Sequence, residues 1–443
     1  MPILQQILLI VCATLSDPVL LNAARIRAGA FTRNNGKLPF WTMMELLMVN
    51  RKNTITSSMA AFFKKKRLAE GGSPEDTVKV SQQAFSKARA GIDHTLFKEC
   101  HERVLDFLCS EESLSYQKRF FGEYGYNIVA IDGSRIPLPN RKVLLNEFGT
   151  VGRGSTSPTA MASIAYDVLN NRILDAELSP MTVGERKLAM GHMKHVIDKN
   201  RVNPMYTLFV FDRGYASEEL IAYIEDDIKA YYLFRLRTRL YSNIDELPVP
   251  KHGEIGDHIV YLNGRKVRVI RFLLDNGILE TLITNAYDID KKHFKELYNS
   301  RWPVEGTYDL IKNKVDLTNF RGYSINSVKQ EFWISILNAN IALAVENEAD
   351  GIIDYEINTG ENKHNYKSNV NEIIGTISNN IDEYMDIYYY EDDNATEKEY
   401  ELIRYILGEC VRIRRVDKKG IGESYPRGKP RDVKHHYNRK TTH

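Results

Sequence analysis

The sequence predicts an α/β fold in which a mixed sheet with helices is flanked by helical regions. Short apolar runs typical of strands, several joined by Asn-Gly or Asn-Asn turns, concentrate between residues 126 and 286. Apolar residues recur at helical spacing before and after that stretch. The 443 residues are enough for about two to four domains. With 43% hydrophobic and 27% charged residues, the composition excludes a disordered chain, a collagen-like fibre and a disulfide miniprotein.

Net charge does not identify a partner, because 60 Lys and Arg nearly balance 58 Asp and Glu. Two segments of opposite charge contribute to this balance. Residues 346–400 are acidic, whereas the tail 412–443 is basic, with eleven Lys or Arg and three Asp or Glu. The four cysteines have no short spacing, which predicts a reducing compartment. The apolar start Ile3–Val11 is short and lacks a basic leader, so we expect a packed helix and no membrane partner.

Residues 1–118 are predicted to be helical. Trp41–Val49 and Leu96–Leu108 have helical periodicity, and Ser81 is a suitable N-cap for a helix over Gln82–Gly91. That helix carries four side chains able to contact bases or phosphates, namely Gln82, Gln83, Lys87 and Arg89. It is either a DNA-contacting helix or one with a solvated face, and the basic run Lys64–Arg67 has the same two interpretations.

Residues 119–229 alternate between strand and helix signals. A strand over Asn127–Ile131 ends at Asp132, and a second over Tyr206–Phe211 ends at Asp212. Between and after them we expect a hairpin of Ala162–Val168 and Arg172–Leu178 around Asn170-Asn171, and helices over Glu185–Asp198 and Ser217–Asp226. Together these elements predict an α/β domain with a mixed sheet.

Residues 230–290 are predicted to be β-rich, with strands over Tyr231–Leu236, Ile259–Leu262, Lys266–Leu274 and Leu279–Thr284. Arg235, Arg237 and Arg239 alternate with apolar or neutral residues, so on an extended strand they would share one face. That face is either a track for DNA phosphates or an ordinary solvated surface. Helices are expected again over 291–345 and 346–411, followed by the basic tail 412–443.

Four polar residues after the β-rich segment have helical spacing. Tyr298, Arg301, Glu305 and Lys312 fall within about 60° of arc at 100° per residue. They form either a phosphate-handling face with a metal ligand or a solvated stripe with an ion pair. Pro303 interrupts the run, so a helix either begins near it or kinks there; in the first case Tyr298 and Arg301 precede the helix.

These residues carry a resemblance to a known family. The spacing Tyr298-x2-Arg301-x3-Glu305-x6-Lys312 resembles the Y-R-E-K signature of bacterial insertion-sequence transposases of the DDE type (the IS-four type). Further segments look like the same family: Asp132-Gly133-Ser134, Asp212-Arg213-Gly214-Tyr215 and Asn319-Phe320-Arg321-Gly322. The resemblance implies an RNase H-like catalytic domain interrupted by the β-rich insertion. It also implies that Asp132, Asp212 and Glu305 are the catalytic, metal-binding triad for two Mg²⁺ ions, with Mn²⁺ able to substitute.

The resemblance further implies DNA contacts by Tyr298, Arg301, Lys312 and Arg321. Trp302 either stacks on a displaced base or anchors a helix in the core. The expected function is transposition, in which the N-terminal helices bind terminal inverted repeats and the triad cuts the ends and joins them to target DNA. A homodimer, a hairpin intermediate and a cytoplasmic place at the bacterial nucleoid are implied as well. The alternatives are a catalytically inactive DNA-binding repressor and a two-metal nuclease that cuts without joining.

Two other groups of residues are weaker candidates. His192 and His195 are three residues apart on a predicted helix, so they are either metal ligands or, as is more common without an H-E-x-x-H motif, surface histidines. Asp167, Asp175 and Glu177 lie near the hairpin, where we expect them to be solvated.

Overall fold

The computed structural model describes residues 3–27, 29–31, 36–49, 54–110, 119–122, 125–152, 154–301, 306–308, 310–311, 319–358, 365–389 and 395–412. It has the predicted α/β class: a mixed sheet with helices on its faces, preceded and followed by helical regions.

The N-terminal region is helical, as predicted. Its helices are α1 Ile3–Ser16, α2 Pro18–Ala24, α3 Phe40–Met48, α4 Ile55–Ala69, α5 Gln82–Arg89 and α6 Thr95–Leu108. The hydroxyl of Ser81 accepts a hydrogen bond from the Ala84 amide and caps α5, which confirms the predicted start of that helix. The apolar side of α1 is buried, including Ile7, Leu8 and Val11.

The sheet has eight strands in the order β3-β2-β1-β4-β5-β8-β7-β6. The strands are β1 Asn127–Pro137, β2 Thr159–Asp167, β3 Arg172–Pro180, β4 Thr207–Phe211, β5 Tyr231–Arg235, β6 Ile255–Leu262, β7 Arg265–Leu273 and β8 Leu279–Thr284. β1, β4 and β5 are parallel neighbours, and the other pairings are antiparallel. The strands of the predicted insertion therefore join the same sheet through the β5–β8 pair.

The predicted hairpins are present, and the backbone of their turns shows why these residues occupy them. Asn171 has a φ of 51° in the β2–β3 turn, and Asn263 and Gly264 have φ values of 48° and 81° in the β6–β7 turn. Positive φ at both central residues makes the β6–β7 turn a two-residue type I′ hairpin, which asparagine and glycine tolerate. The predicted two-residue turn at Asn170-Asn171 is wrong, because residues 168–171 all lie between the paired Asp167 and Arg172, and among them only Asn171 has a positive φ. Turn chemistry thus sets the register of the antiparallel strands.

Helices cover the sheet and close the chain. They are α7 Lys142–Phe148, α8 Glu185–Asp198, α9 Glu218–Ala222, α10 Ser242–Asp245, α11 Phe294–Asn299, α12 Ile325–Glu356, α13 Val370–Tyr389 and α14 Ala395–Gly408. A π-helical turn, Tyr223–Ile228, continues α9, and a short β9–β10 pair joins Tyr366–Lys367 to Val411–Arg412. α12 begins at a capping box formed by Ser324 and Ser327.

One apolar core joins the two helical regions to the sheet. It contains buried residues of α1, α3, α6, α12 and α13 together with one face of β1–β3, for example Ile7, Phe97, Ile164 and Ile336. A second core lies on the other face of the sheet beneath α8 and α9. The N-terminal helices are therefore fixed to the sheet through α12, which places both helical regions on the same side.

Within the described residues, no single helix has the length and hydropathy of a membrane span. Only α1 and α2 counted together reach that limit, and they are bent by 63° with respect to each other.

Candidate active site

Asp132 and Asp212 lie side by side just beyond the last parallel pair of β1 and β4. Asp212 follows the end of β4, whereas Asp132 lies within β1, which continues to Pro137 in antiparallel pairing with β2, so the prediction that this strand ends at Asp132 is wrong. Ala130 of β1 pairs with Val210 of β4 in parallel register, and each aspartate lies two residues beyond its member of that pair. The carboxyl ends of neighbouring parallel strands meet at one edge of a sheet, so the register itself brings the two side chains together. The structure thus joins two residues that are 80 positions apart in the chain.

Hydrogen bonds from three directions fix Asp132. Its carboxylate accepts from the Gly133 amide at 2.9 Å and from Arg301 Nη1 at 3.4 Å. Its backbone carbonyl accepts from the Tyr308 hydroxyl at 2.7 Å. Burial, together with the charges of Asp212 and Glu185, raises the pKa of Asp132 to about 6, against the lowering effects of the Gly133 amide and Arg301. Burial is the largest of these effects, so the raised pKa reflects mainly the removal of the Asp132 carboxylate from water.

Tyr298 and Arg301, two residues of the predicted signature, reach the two aspartates. The Tyr298 hydroxyl donates to Asp212 Oδ1 at 3.2 Å, and the guanidinium groups of Arg235 and Arg301 each lie 5.8 Å from the centre of the Tyr298 ring. Helix α11 ends at Asn299, so Arg301 lies just beyond it. The prediction that one helix carries both Tyr298 and Arg301 is therefore wrong. Whether a helix begins or kinks near Pro303 concerns residues that lie outside the described ranges.

Three predicted site residues, Trp302, Glu305 and Lys312, lie outside the described residues. Arg321 precedes α12, and its backbone amide donates to Glu331 Oε2 at 2.8 Å. Its predicted role in DNA binding stays a prediction.

The arginine track is only partly present. Strand β5 ends at Arg235, and Arg239 has a φ of 64°, so the prediction that the three arginines share one strand face is wrong. Arg235 forms an ion pair with the buried Glu280 of β8. Arg237 is exposed, and a Cβ built on Gly214 would lie 3.8 Å from its guanidinium. Arg237 therefore borders the site, whereas Arg235 is tied to the sheet.

A third carboxylate, Glu185, faces the two aspartates, and sequence reasoning did not select it. A Cβ built on Gly133 would lie 3.2 Å from Glu185 Oε1, and one built on Gly214 would lie 3.9 Å from Oε2. Glu185 is the first residue of α8, directly after the β2–β3 hairpin. The available signal was an acidic residue in the first turn of a helix that follows two strands of the catalytic sheet.

Three charged residues of the N-terminal candidates bind other parts of the chain, whereas Gln82, Gln83, Lys87 and Lys64 are exposed. Arg89 is buried and pairs with Glu331 of α12, so it neither contacts DNA nor lies on a solvated face. Lys65 and Lys66 of the basic run pair with Asp382 of α13 and with the buried Glu45 of α3. These cations connect the two helical regions.

The two histidines belong to a buried polar cluster, which we call the Glu102 cluster and define as Glu102, Asp175, His192, His195 and Arg201. His192 is buried; its Nδ1 lies 2.7 Å from Asp175 Oδ2 and its Nε2 lies 2.9 Å from Ser163 Oγ. The predictions of a surface His192 and a solvated Asp175 are therefore wrong. Within the described residues, ligand-type atoms of Glu102, Asp175 and His195 all lie within 4.8 Å of one another.

Comparison with known proteins identifies the segment that carries Asp132, Asp212, Tyr298 and Arg301. Residues 123–341 match the family model of the transposase DDE domain. The matched segment thus contains the sheet and the residues that meet at its edge. A search of curated proteins gives no match to the chain.

A solved structure shares the fold over most of the chain. The cryo-EM structure of the piggyBac transposase synaptic complex with hairpin DNA aligns with a TM-score of 0.50 and 9% identity, over 90% of this chain and 85% of that one. At that identity the likeness concerns the fold, and it supports an RNase H-like arrangement of the DDE domain between helical regions.

Proposed function

We propose that this protein is a DNA transposase that cuts DNA strands and joins them to a target through its DDE domain. The observation that carries the proposal is the pair Asp132 and Asp212, which meet just beyond the last parallel pair of β1 and β4 inside the matched segment. Glu305, which the sequence resemblance implies as the third acid, is proposed to complete the triad. Strand cleavage would use water as the nucleophile, and strand transfer would use a DNA 3′-hydroxyl.

The residues at this edge fit a divalent cation. Carboxylate oxygens are the ligands that Mg²⁺ prefers, and the raised pKa of Asp132 reflects mainly its burial, the free-energy cost of which a bound cation would offset. Asp132, Asp212 and Glu305 would hold two Mg²⁺ ions, with Mn²⁺ able to substitute. Such ions stabilise the charge that develops on the attacking and leaving oxygens of an in-line displacement at phosphorus.

The neighbouring side chains would orient the acids and the DNA backbone. The Tyr298 hydroxyl positions the Asp212 carboxylate, and Arg301 holds Asp132 while placing positive charge beside it. Arg237, exposed next to Gly214, is placed to contact a phosphate near the scissile bond. We assign Lys312 and Arg321 the same kind of contact from the sequence resemblance, and Trp302 a contact with a displaced base.

The finer assignment is an insertion-sequence transposase of the Y-R-E-K type acting at the bacterial nucleoid. The signature spacing supports it, and so does the fold shared with a transposase whose structure is a synaptic complex with hairpin DNA. We propose that Gln82, Gln83 and Lys87, which are exposed on α5, contact terminal inverted repeats. A homodimer that holds two ends and a hairpin intermediate belong to the same proposal.

The test incubates the purified protein with a duplex carrying the inverted repeats that flank its coding sequence, a supercoiled target plasmid, and Mg²⁺ or Mn²⁺. We expect joined products, and we expect Asp132→Asn and Asp212→Asn to abolish cleavage while retaining DNA binding. The matched control is Asp227→Asn, which removes an exposed carboxylate from the turn after α9 and should leave joining unchanged.

The other outcomes identify the alternatives. Cleavage without joining would indicate a two-metal nuclease, and binding without cleavage by the wild-type protein would indicate a repressor. Cleavage at the wild-type rate by Asp132→Asn or Asp212→Asn would remove that residue from the active site.

A further inference from the structure

Strand β1 has lost one of its two neighbours by the point at which it reaches Asp132. The last parallel pair of β1 and β4 is Ala130 with Val210, so among the described residues β1 pairs only with β2 from Ile131 onward. Asp132 itself pairs with Ile164 of β2. A strand with a neighbour on one side only leaves part of its backbone unpaired. The peptide that directs the Asp132 carboxylate therefore depends on side chains for further support.

Two hydroxyl groups give this support from opposite faces of the sheet. The Ser163 hydroxyl donates to the Asp132 carbonyl oxygen at 3.3 Å, and it also bonds His192 of α8, so it lies on the face that α8 covers. The Tyr308 hydroxyl donates to the same oxygen at 2.7 Å. Tyr308 belongs to the core on the other face, which joins the helical regions to the sheet. The Asp132 peptide is therefore held between the two layers.

The Tyr308 hydroxyl also connects β1 to β2. It lies 3.0 Å from the carbonyl oxygen of Ala162, the residue of β2 that pairs with Ser134. Its one proton is therefore shared between a carbonyl of each strand. Because Tyr308 is only 6% exposed, water does not readily take the place of this donor, and the loss of a buried donor leaves its acceptors poorly satisfied. The hydroxyl thus fixes the two strands to each other beside Asp132.

The place of Tyr308 in the sequence gives the contact a second consequence. Tyr308 follows Glu305 by three residues, and Glu305 is the acid that the proposed function adds to Asp132 and Asp212. A bond from Tyr308 to the Asp132 peptide limits how far the first acid and the segment just after the third can move apart. Catalytic groups tolerate little displacement, since a shift of about 1 Å can lower a rate on the order of a hundredfold.

We propose that Tyr308 is a positioning residue of the active site. Its hydroxyl holds the Asp132 peptide, and so fixes the direction of the Asp132 carboxylate, and it keeps the segment after Glu305 against β1. The inference rests on the proposed function, because the direction of this carboxylate matters only if Asp132 takes part in the chemistry. In this role Tyr308 acts through Asp132 and contacts neither the DNA nor a cation.

The first test measures single-turnover strand cleavage of the end-containing duplex, with the protein and Mn²⁺ saturating. We expect Tyr308→Phe to lower the cleavage rate constant roughly tenfold and to leave the Kd for the duplex unchanged, because the variant removes only a hydroxyl that positions an acid. A residue with a merely structural role would change neither quantity in the folded protein. Cleavage by Tyr308→Phe at the wild-type rate would therefore overturn the inference.

The matched control is Tyr232→Phe. Tyr232 is a buried tyrosine of β5 in the core beneath α8 and α9, and its hydroxyl donates to Glu225 at 3.2 Å. The two variants should lose similar stability in urea unfolding, since each loses one hydrogen bond of a buried tyrosine. We expect Tyr232→Phe to cleave at the wild-type rate. Equal slowing in both variants would assign the effect to stability and would also overturn the inference.

A second test follows the strand itself, without DNA or metal. Hydrogen–deuterium exchange of the full-length protein, read by mass spectrometry, should be several-fold faster in Tyr308→Phe for the part of β1 beyond Ile131, because that segment loses a bond to a side chain. Exchange in β4 and β5 should stay as in the wild type, and Tyr232→Phe should leave β1 unchanged. Unchanged exchange in β1 of Tyr308→Phe overturns the inference, whatever its cleavage rate.

If Tyr308→Phe does not fold, Ser163→Ala tests the same carbonyl oxygen from the other face of the sheet. The slowing expected there is smaller, about threefold, because a hydrogen bond of 3.3 Å is weaker than one of 2.7 Å. Faster exchange in β1 should accompany it. A wild-type rate together with unchanged exchange would show that support of this carbonyl does not position the acid.

Asp132→Asn in the same cleavage assay separates this inference from the proposed function. If Asp132→Asn is inactive and Tyr308→Phe cleaves at the wild-type rate, the inference is overturned and the proposed function stands. If Asp132→Asn cleaves as the wild type does, the proposed function fails, and the inference fails with it. An inactive Asp132→Asn, slow cleavage by Tyr308→Phe and faster exchange in its β1 support both.

Discussion

The acidic group at the sheet edge and the Glu102 cluster contain similar residues in opposite states of charge balance. At the edge, Asp212 and Glu185 act electrostatically on Asp132, and the ion pair described there is that of Arg301 with Asp132 at 3.4 Å. In the Glu102 cluster, the Glu102 carboxylate forms an ion pair with Arg201. Its Oε1 lies 3.2 Å from His195 Nε2, and its Oε2 lies 3.7 Å from Lys199 Nζ. The pKa of Asp132 is raised to about 6, whereas that of Glu102, despite the opposing effect of burial, is lowered to about 2 by His195 and Arg201.

The difference shows that the balance of charge distinguishes a candidate metal site from a structural cluster better than the distances between ligand atoms do. By distance alone, Glu102, Asp175 and His195 form a candidate metal site. Their charge, however, is already neutralised by cations of the protein, and these contacts tie α6 and α8 to β3. The two groups are nevertheless connected, because Ser163 bonds His192 and donates to the backbone oxygen of Asp132 at 3.3 Å. The Glu102 cluster therefore serves as a structural support for the active-site strand.

The largest expected effect comes from removing the cation of the Glu102 cluster. Arg201→Met should reduce the free energy of unfolding by about 3–5 kcal/mol, because it leaves Glu102 as a buried carboxylate without its main partner. Urea unfolding measures the change. Arg103→Met, which breaks exposed pairs with Asp17 and Glu99, is the control and should cost less than about 1 kcal/mol. Equal losses in the two variants would contradict the structural role.

Acid should weaken the same region through His101, which packs beside Glu102 on α6. Burial lowers the pKa of His101 to about 4 from 6.5, and Asn340 Nδ2 lies 3.0 Å from its Nε2. Between pH 6.5 and 4 the unfolded chain binds a proton that the folded protein does not. The free energy of unfolding therefore decreases by roughly 3 kcal/mol as the pH is lowered through this range. His101→Gln removes this dependence. The stability difference between wild type and variant should therefore shrink toward pH 4, and a constant difference would contradict the assignment.

For Asp132, at the sheet edge, the pH dependence of stability has the opposite sign: stability falls as the pH rises. The folded pKa of Asp132, about 6, exceeds the ordinary 3.8, so ionisation costs the folded state nothing below pH 3.8 and the full amount above pH 6. In EDTA at pH 7.5, Asp132→Asn should therefore stabilise the protein by roughly 2–3 kcal/mol, and the gain should vanish toward pH 4. Thermal unfolding across this range measures it. An Asp132→Asn protein that is no more stable than the wild type would show that the acids are already compensated.

Local sequence patterns were sufficient to predict the strands that carry the two aspartates and the hairpins of the antiparallel strands. Apolar runs that end in Asp132 and Asp212 revealed two strands, and Asn-Gly and Asn-Asn turns revealed the hairpins. The register that joins the aspartates requires only that β1 and β4 be parallel neighbours. The resemblance of the Tyr298 and Arg301 spacing to a known signature supplied what periodicity alone left open.

Burial of polar residues could not be predicted, because it depends on partners far away in the chain. In the sequence Arg89 resembles a DNA-contacting residue, but in the structure it pairs with Glu331, which lies 242 positions later in the chain. His192 resembles a surface residue until Asp175 and Ser163 of the neighbouring strands enclose it. Glu185 was missed for the converse reason, since an acid at a helix start is common and only the glycines at 133 and 214 show what it faces.

The smallest effect tests whether Tyr298 acts on the active site or only on stability. Tyr298→Phe removes the hydrogen bond to Asp212 and should cost about 1 kcal/mol of stability. Tyr126→Phe is the matched control, because it removes a hydrogen bond, 2.6 Å long, from the residue before β1 to Asp288. The two variants should lose similar stability in urea unfolding, but only Tyr298→Phe should slow strand cleavage, by roughly tenfold or about 1.4 kcal/mol in the barrier. If both variants cleave DNA at the same rate, Tyr298 supports the fold and does not position Asp212.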